Sequence, residues 1–95
     1  MSGYLEYEGG YSNNKWNGIG KKYYKNKLVY VGDYFNNKRN GKGEEYNYNG
    51  NLVFEGEYLN GKKWNGIWYD NERNEDYELK EGKGLIKEYD GLMII

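Results

Sequence analysis

The sequence predicts an all-β fold of stacked hairpins, with its strands sequential and antiparallel, and three observations predict it. A glycine-aromatic string recurs at a nearly fixed interval: Gly9, Gly32 and Gly56 lie 23 and 24 residues apart by subtraction, and Gly18, Gly41 and Gly66 lie 23 and 25 apart. A fixed period of this size is the signature of a stacked-repeat architecture. Within each copy the residues alternate between two unlike faces, the period of a strand. Between the alternating segments stand clusters of Asn, Lys and Gly, residues that tolerate the left-handed backbone of tight reversals.

The first strand of each unit carries the alternation most clearly. Leu5, Tyr7, Gly9 and Tyr11 share one face, as do Leu28, Tyr30, Gly32 and Tyr34, and then Leu52, Phe54, Gly56 and Tyr58. A helix is a poor alternative, because a mid-segment Gly costs about 1 kcal/mol relative to Ala there. Each first strand runs into a hairpin loop, placed at 13–17, 36–40 and 60–65. A second strand opens on Gly18-Ile19-Gly20 or Gly41-Lys42-Gly43, and a further turn at 25–27 or 49–51 leads to the next unit. Strand glycines pack nothing of their own, so the paired glycines call for a neighbouring ring lying flat over bare backbone. Tyr7, Gly9, Tyr11, Tyr30, Gly32, Tyr34, Phe54, Gly56 and Tyr58 are therefore assigned to packing one repeat against the next.

The pattern changes after Gly66. Trp68 stands where Gly20 and Gly43 stood, and 70–76 reads as a polar insertion. A shortened unit follows, with Gly82 and Gly84 as its paired glycines and Met93 and Ile95 at the positions of Leu52 and Phe54. One domain over 1–95 is expected, in units of about 4–27, 28–51, 52–76 and a degraded 77–95.

Composition narrows the function classes. The chain has 95 residues, a formal net charge of -1, and 19% aromatic residues, thirteen of them Tyr. Near-neutral charge and abundant rings oppose disorder, and tyrosine suits a thin fold because its ring packs while its hydroxyl stays wet. With neither Cys nor His present, disulfides, Cys-based metal sites and the usual catalytic triads are excluded. Adjacent strand residues face opposite ways, so Glu44 and Glu45 do not act as a local carboxylate pair. No enzyme activity, cofactor or small-molecule substrate is expected. The leader and membrane-span patterns are missing from the sequence, so the expected place is the cytoplasm, soluble or peripheral.

Phe54-Glu55-Gly56-Glu57-Tyr58, followed by Asn60-Gly61-Lys62 and Asn65-Gly66, resembles the MORN repeat (membrane occupation and recognition nexus). Asn17, Asn40 and Asn65 stand where that family's pattern has His. The resemblance covers 4–69 well and 77–95 in degraded form. It implies an elongated, twisted single-layer sheet of hairpins side by side, often with a groove along one face, and it implies no catalysis.

Partner candidates follow from where the copies differ. Lys15, Lys38, Arg39, Lys62 and Lys63 occupy equivalent loop positions, so stacking aligns them along one edge. Such an edge suits anionic lipid headgroups at about 1 kcal/mol per cation, although lysines also serve simply to protect a sheet edge. Residues 1–69 carry ten basic and seven acidic side chains (+3), and 70–95 carry four and eight (-4). The apolar run Leu92, Met93, Ile94 and Ile95 is a template for strand pairing with a second copy, and a Tyr-rich repeat surface suits a protein partner. Nucleic acid is disfavoured, because Glu8, Glu55 and Glu57 intersperse the same strands. Asp70, Glu72, Asn74, Asp76, Glu78 and Glu81 match the spacing of a calcium-binding EF-hand loop, but Glu75 stands where that loop requires Gly and neither flank is helical. No metal site is assigned.

Overall fold

A computed structural model describes residues 6–72, 74–88 and 91–94, with side chains placed as far as residue 84. Ile95, the last residue of the apolar run, lies outside the described residues. The described strands are β1 (Tyr7–Ser12), β2 (Lys15–Tyr24), β3 (Lys27–Phe35), β4 (Lys38–Tyr46), β5 (Leu52–Leu59), β6 (Lys62–Tyr69), β7 (Glu75–Lys80), β8 (Lys83–Glu88) and β9 (Gly91–Ile94). They form one antiparallel sheet in chain order, each strand bonded to the next. No helix occurs among the described residues. The molecule measures 51 × 27 × 17 Å, elongated along the direction of stacking.

The turns explain the order. Asn13–Asn14, Lys25–Asn26, Asn36–Asn37, Asn60–Gly61 and Glu81–Gly82 all have positive φ at both residues. That is the two-residue turn whose twist matches the strands it joins. The hairpin loops are thus shorter than the sequence suggested, and the strands resume at Lys15, Lys38 and Lys62. The remaining described turns use a side chain as scaffold. Asn47 Oδ1 accepts from the backbone N–H groups of Asn49 and Asn51, each at 3.0 Å. Asp70 Oδ1 accepts from those of Glu72 and Asn74, each at 2.9 Å. In both, the first residue's N–H also donates to the last residue's carbonyl. The stretch read as an insertion at 70–76 is therefore the repeat's own connecting turn, followed by the start of β7. Asp does the work of Asn here because only an acceptor oxygen is needed.

The register sets three kinds of row across the sheet. Gly9, Gly20, Gly32, Gly43, Gly56 and Gly66 pair in succession from β1 to β6, and Leu79 and Gly84 continue the line. Gly66 thus takes the place of Gly20 and Gly43, and Trp68 takes the place of Lys22 and Glu45. The cause is one residue fewer between the turn-side pair and the glycine row in β6 than in β4. Gly82 lies in a turn, not in the row. Beside the glycines on one face run Tyr7, Lys22, Tyr30, Glu45, Phe54, Trp68 and Tyr77. On the other face, Glu8, Lys21, Val31, Glu44, Glu55, Ile67 and Glu78 pair in the same way.

Candidate interaction surfaces

The aromatic face is closed by its own rings. Tyr7, Tyr30, Tyr34, Phe54 and Tyr58 form the buried cluster, with Trp16, Trp68 and Leu79 packed against it. The rings fold over the glycine row. A Cβ at Gly20 would stand 2.5 Å from the Tyr7 ring, one at Gly66 would stand 2.6 Å from Phe54 Cζ, and one at Gly43 would collide with Tyr30. Hydroxyls span the row too: Tyr7 donates to the Gly10 carbonyl at 2.9 Å and Tyr30 to that of Asp33 at 3.2 Å. Edge-to-face pairs carry the stack from unit to unit, Tyr7 with Tyr34 at 5.1 Å and Tyr30 with Tyr58 at 5.2 Å. Burial raises the hydroxyl pKa of Tyr30 and Tyr58 well above the ordinary tyrosine range. Tyr11, at the end of the stack, meets Tyr7 edge-on at 5.4 Å and is otherwise exposed.

Charged groups complete this face. Glu45 Oε1 accepts from Arg39 at 2.9 Å and pairs with Lys63 Nζ at 3.1 Å. The Arg39 guanidinium lies 4.1 Å from the centre of the Tyr30 ring, and Lys63 Nζ lies 4.9 Å from that of Trp68. In the first unit the corresponding pair is Trp16 and Lys22, 4.7 Å apart. Each unit thus places a complementary pair across the glycine row: aromatic with cation, cation with anion, cation with aromatic. Cation–π contacts and desolvated ion pairs both suit this half-wet setting. Sequence reasoning missed Trp16, Lys22, Glu45 and Trp68. The pairs are equivalent in position but differ in residue type, so comparing copies one position at a time hides them.

The five basic residues assigned to one edge divide between the faces. Arg39 and Lys63 pair with Tyr34 and Tyr58 across their hairpins and enter the aromatic face. Lys15, Lys38 and Lys62 pair with Ser12, Phe35 and Leu59, so they point the other way beside the turns. The two-residue turns cause the division: each loop expected to hold both cations is already strand, and strand neighbours alternate. Leu92, Met93 and Ile94 lie in β9, which bonds to β8 at the edge of the described sheet.

The opposite face stays open. Ile19, Phe35 and Leu59 are 67, 61 and 45% exposed. A groove of about 510 Å³ runs over the backbone of Gly32, Gly43 and Gly56, with Ile19, Val31 and Ile67 as its apolar walls. Glu44 and Glu55 oppose one another directly within it. Each is reached by one tyrosine hydroxyl, Glu44 by Tyr46 at 3.2 Å and Glu55 by Tyr69 at 2.5 Å. The bond to Glu55 pushes the Tyr69 pKa up to about 12. Among the described residues neither carboxylate has a cationic partner within 4.0 Å. No group of three or more metal-ligating side chains occurs among them. The hairpin turns on the basic edge are stitched together by asparagine: Asn60 N–H donates to Asn40 Oδ1 and Glu81 N–H to Asn65 Oδ1, both at 2.9 Å.

The model of the MORN repeat matches three consecutive stretches, residues 7–29, 30–52 and 54–65. The chain belongs to the MORN-repeat family. No curated protein matches it. MORN repeats are generally associated with protein or membrane interaction. Two of the asparagines that stand where the family's pattern has His have a clear structural use in this MORN chain, since Asn40 and Asn65 hold the turn of the following hairpin. Among the described residues no helix is long and apolar enough to cross a membrane.

Proposed function

We propose that this chain is a non-catalytic MORN-repeat scaffold whose open face binds a protein partner, with the cytoplasm as its compartment. One observation carries the reading: the aromatic face is occupied by its own rings and ion pairs, while the opposite face exposes Ile19, Phe35 and Leu59 around a groove. Apolar side chains clustered in the open, rimmed by charge, mark an interaction surface. Neither His nor Cys is present to serve as base or nucleophile. The test is capture from an extract of the source cell with the parent chain and an Ile19→Ser, Phe35→Ser, Leu59→Ser variant. Bound proteins are expected to be lost from the variant while its circular dichroism is unchanged. Retention of every bound protein would refute the assignment to this face. A second copy is one candidate partner through β9 with its Leu92, Met93 and Ile94, and a scattering mass that rises with concentration is the expected sign of it.

A specific observation favours a second reading, peripheral binding to anionic phospholipid. Phe35 and Leu59, both exposed, sit directly across from Lys38 and Lys62 at the turn edge, and Lys15 lies in line with them. Apolar anchors beside cations match what a headgroup surface requires. Arg39 and Lys63 take no part, being held by Glu45. Sedimentation with phosphatidylserine vesicles should be abolished by Lys15→Glu, Lys38→Glu and Lys62→Glu together and weakened by salt. Equal sedimentation of that variant would dismiss the lipid reading.

A further inference from the structure

The open groove has a chemistry of its own that points to the kind of partner it takes, and this inference rests on the protein-binding reading above. Its floor is strand backbone at Gly32, Gly43 and Gly56, where side chains turn to the other face. Two acids stand between two apolar residues: Val31, Glu44, Glu55 and Ile67 lie side by side on four consecutive strands. Like charges directly opposite one another across two strands are destabilising. Glu44 and Glu55 are such a pair, and the described chain supplies each with a tyrosine hydroxyl and no cation. Lys42, the nearby cation, stands opposite Glu57 instead. The groove therefore leaves two carboxylates together between apolar walls, an arrangement completed by a cation arriving from outside.

Size fixes the rest of the occupant. From β2 to β6 the sheet advances four strand spacings, roughly 19 Å, which an extended chain covers in about six residues. The lining suits small branched side chains against Ile19, Val31 and Ile67 and a guanidinium or ammonium between the carboxylates. Arginine fits best, because its planar fork bonds two carboxylates at once.

We infer that the face opposite the aromatic stack binds an extended peptide segment of another protein, seating an arginine or lysine between Glu44 and Glu55 and flanking apolar side chains against Ile19, Val31 and Ile67. The charge complementarity of the groove selects this occupant over an acidic peptide or an anionic headgroup.

Fluorescence anisotropy of the full chain with three labelled peptides tests it: one with arginines between valines, a copy with glutamate for arginine, and a copy with serine for valine. The arginine–valine peptide should bind, the glutamate copy should not, and the serine copy should bind more weakly. The Glu44→Gln, Glu55→Gln double variant should lose about tenfold or more in affinity. The Lys15→Glu, Lys38→Glu, Lys62→Glu variant should stay within about twofold, since those side chains lie at the turn edge outside the groove. No binding of the arginine–valine peptide, equal binding of the glutamate or serine copy, or undiminished binding by the double Gln variant would each overturn the inference. The two readings fail separately. If the double Gln variant captures the same proteins from extract while the Ile19, Phe35 and Leu59 variant does not, the face binds a partner by other means.

Discussion

The two faces of this sheet are made by the same strands, residue by alternate residue, and they come out as opposites. One has Tyr30 and Phe54 fully buried under a single layer of backbone and rings. The other has Ile19 two-thirds exposed and two opposed glutamates with no cationic partner among the described residues. A single-layer sheet has no second layer to cover it, so burial must come from side chains long enough to lie down along the surface. Rings lie down only where the neighbour lacks a Cβ, and the glycine row supplies that space from β1 to β6. The cost of a one-layer core is that only one face can have it.

The largest expected effect breaks the closed face. Phe54→Ala removes a ring that touches Tyr58, Trp68 and the backbone of Gly66. It should cost about 3–5 kcal/mol, enough to unfold a domain of this size under mild denaturant. Ile19→Ala on the open face should stay within about 0.5 kcal/mol. Urea unfolding followed by circular dichroism gives both values. Comparable losses would mean that the faces share one core.

Alkaline pH sharpens the same contrast. The Tyr30 and Tyr58 hydroxyls are raised above the unfolded value of about 10, first by burial. The unfolded chain therefore releases its protons first as pH rises, and the linkage slope is negative. Their stabilising contribution is complete below about pH 10 and is lost on going above it, by about 1.4 kcal/mol per pH unit for each tyrosine. Tyr69 is raised too, but chiefly by its hydrogen bond to Glu55 on the open face. Glu55→Gln should return the Tyr69 titration toward 10 and leave that of Tyr30 and Tyr58 in place. Absorbance at the phenolate band resolves the two classes.

How much of this was legible in the sequence depends on whether a feature repeats in kind. Tyr30 and Phe54 over Gly43 and Gly66 recur with the period, so ring-over-glycine packing follows from spacing alone. Arg39 and Lys63 did not read as core-facing, because the turns close in two residues where 36–40 and 60–65 were expected to be loop. Where the loop ends decides which face a cation takes, because strand neighbours alternate. The turn at Asp70 was hidden for a related reason: it shares an acceptor oxygen with Asn47 but no residue identity. The pairing of Glu45 with Lys63 crosses from one unit to the next, so no single copy contains the whole Arg39–Glu45–Lys63 group.

The smallest effect separates two neighbours in the chain. Glu45 lies on the closed face, its side chain 22% exposed and its carboxylate shared between Arg39 and Lys63. Glu45→Gln leaves both cations against rings without a counter-charge, and it should cost about 1–3 kcal/mol. Glu44, one residue before it, faces Glu55 on the open side. Glu44→Gln keeps the shape and removes a like-charge opposition, so stability should stay within about 0.5 kcal/mol and move upward if at all. Salt discriminates further: screening relieves Glu44 and Glu55 on the open face, and acts less on the partly buried Glu45 group. The gap between the two substitutions should therefore narrow in high salt, because the Glu45→Gln variant keeps the Glu44–Glu55 opposition that salt relieves and the Glu44→Gln variant does not. If Glu44→Gln instead proves the more costly change, Glu44 is held by partners within this chain, and its carboxylate is not left for an incoming cation.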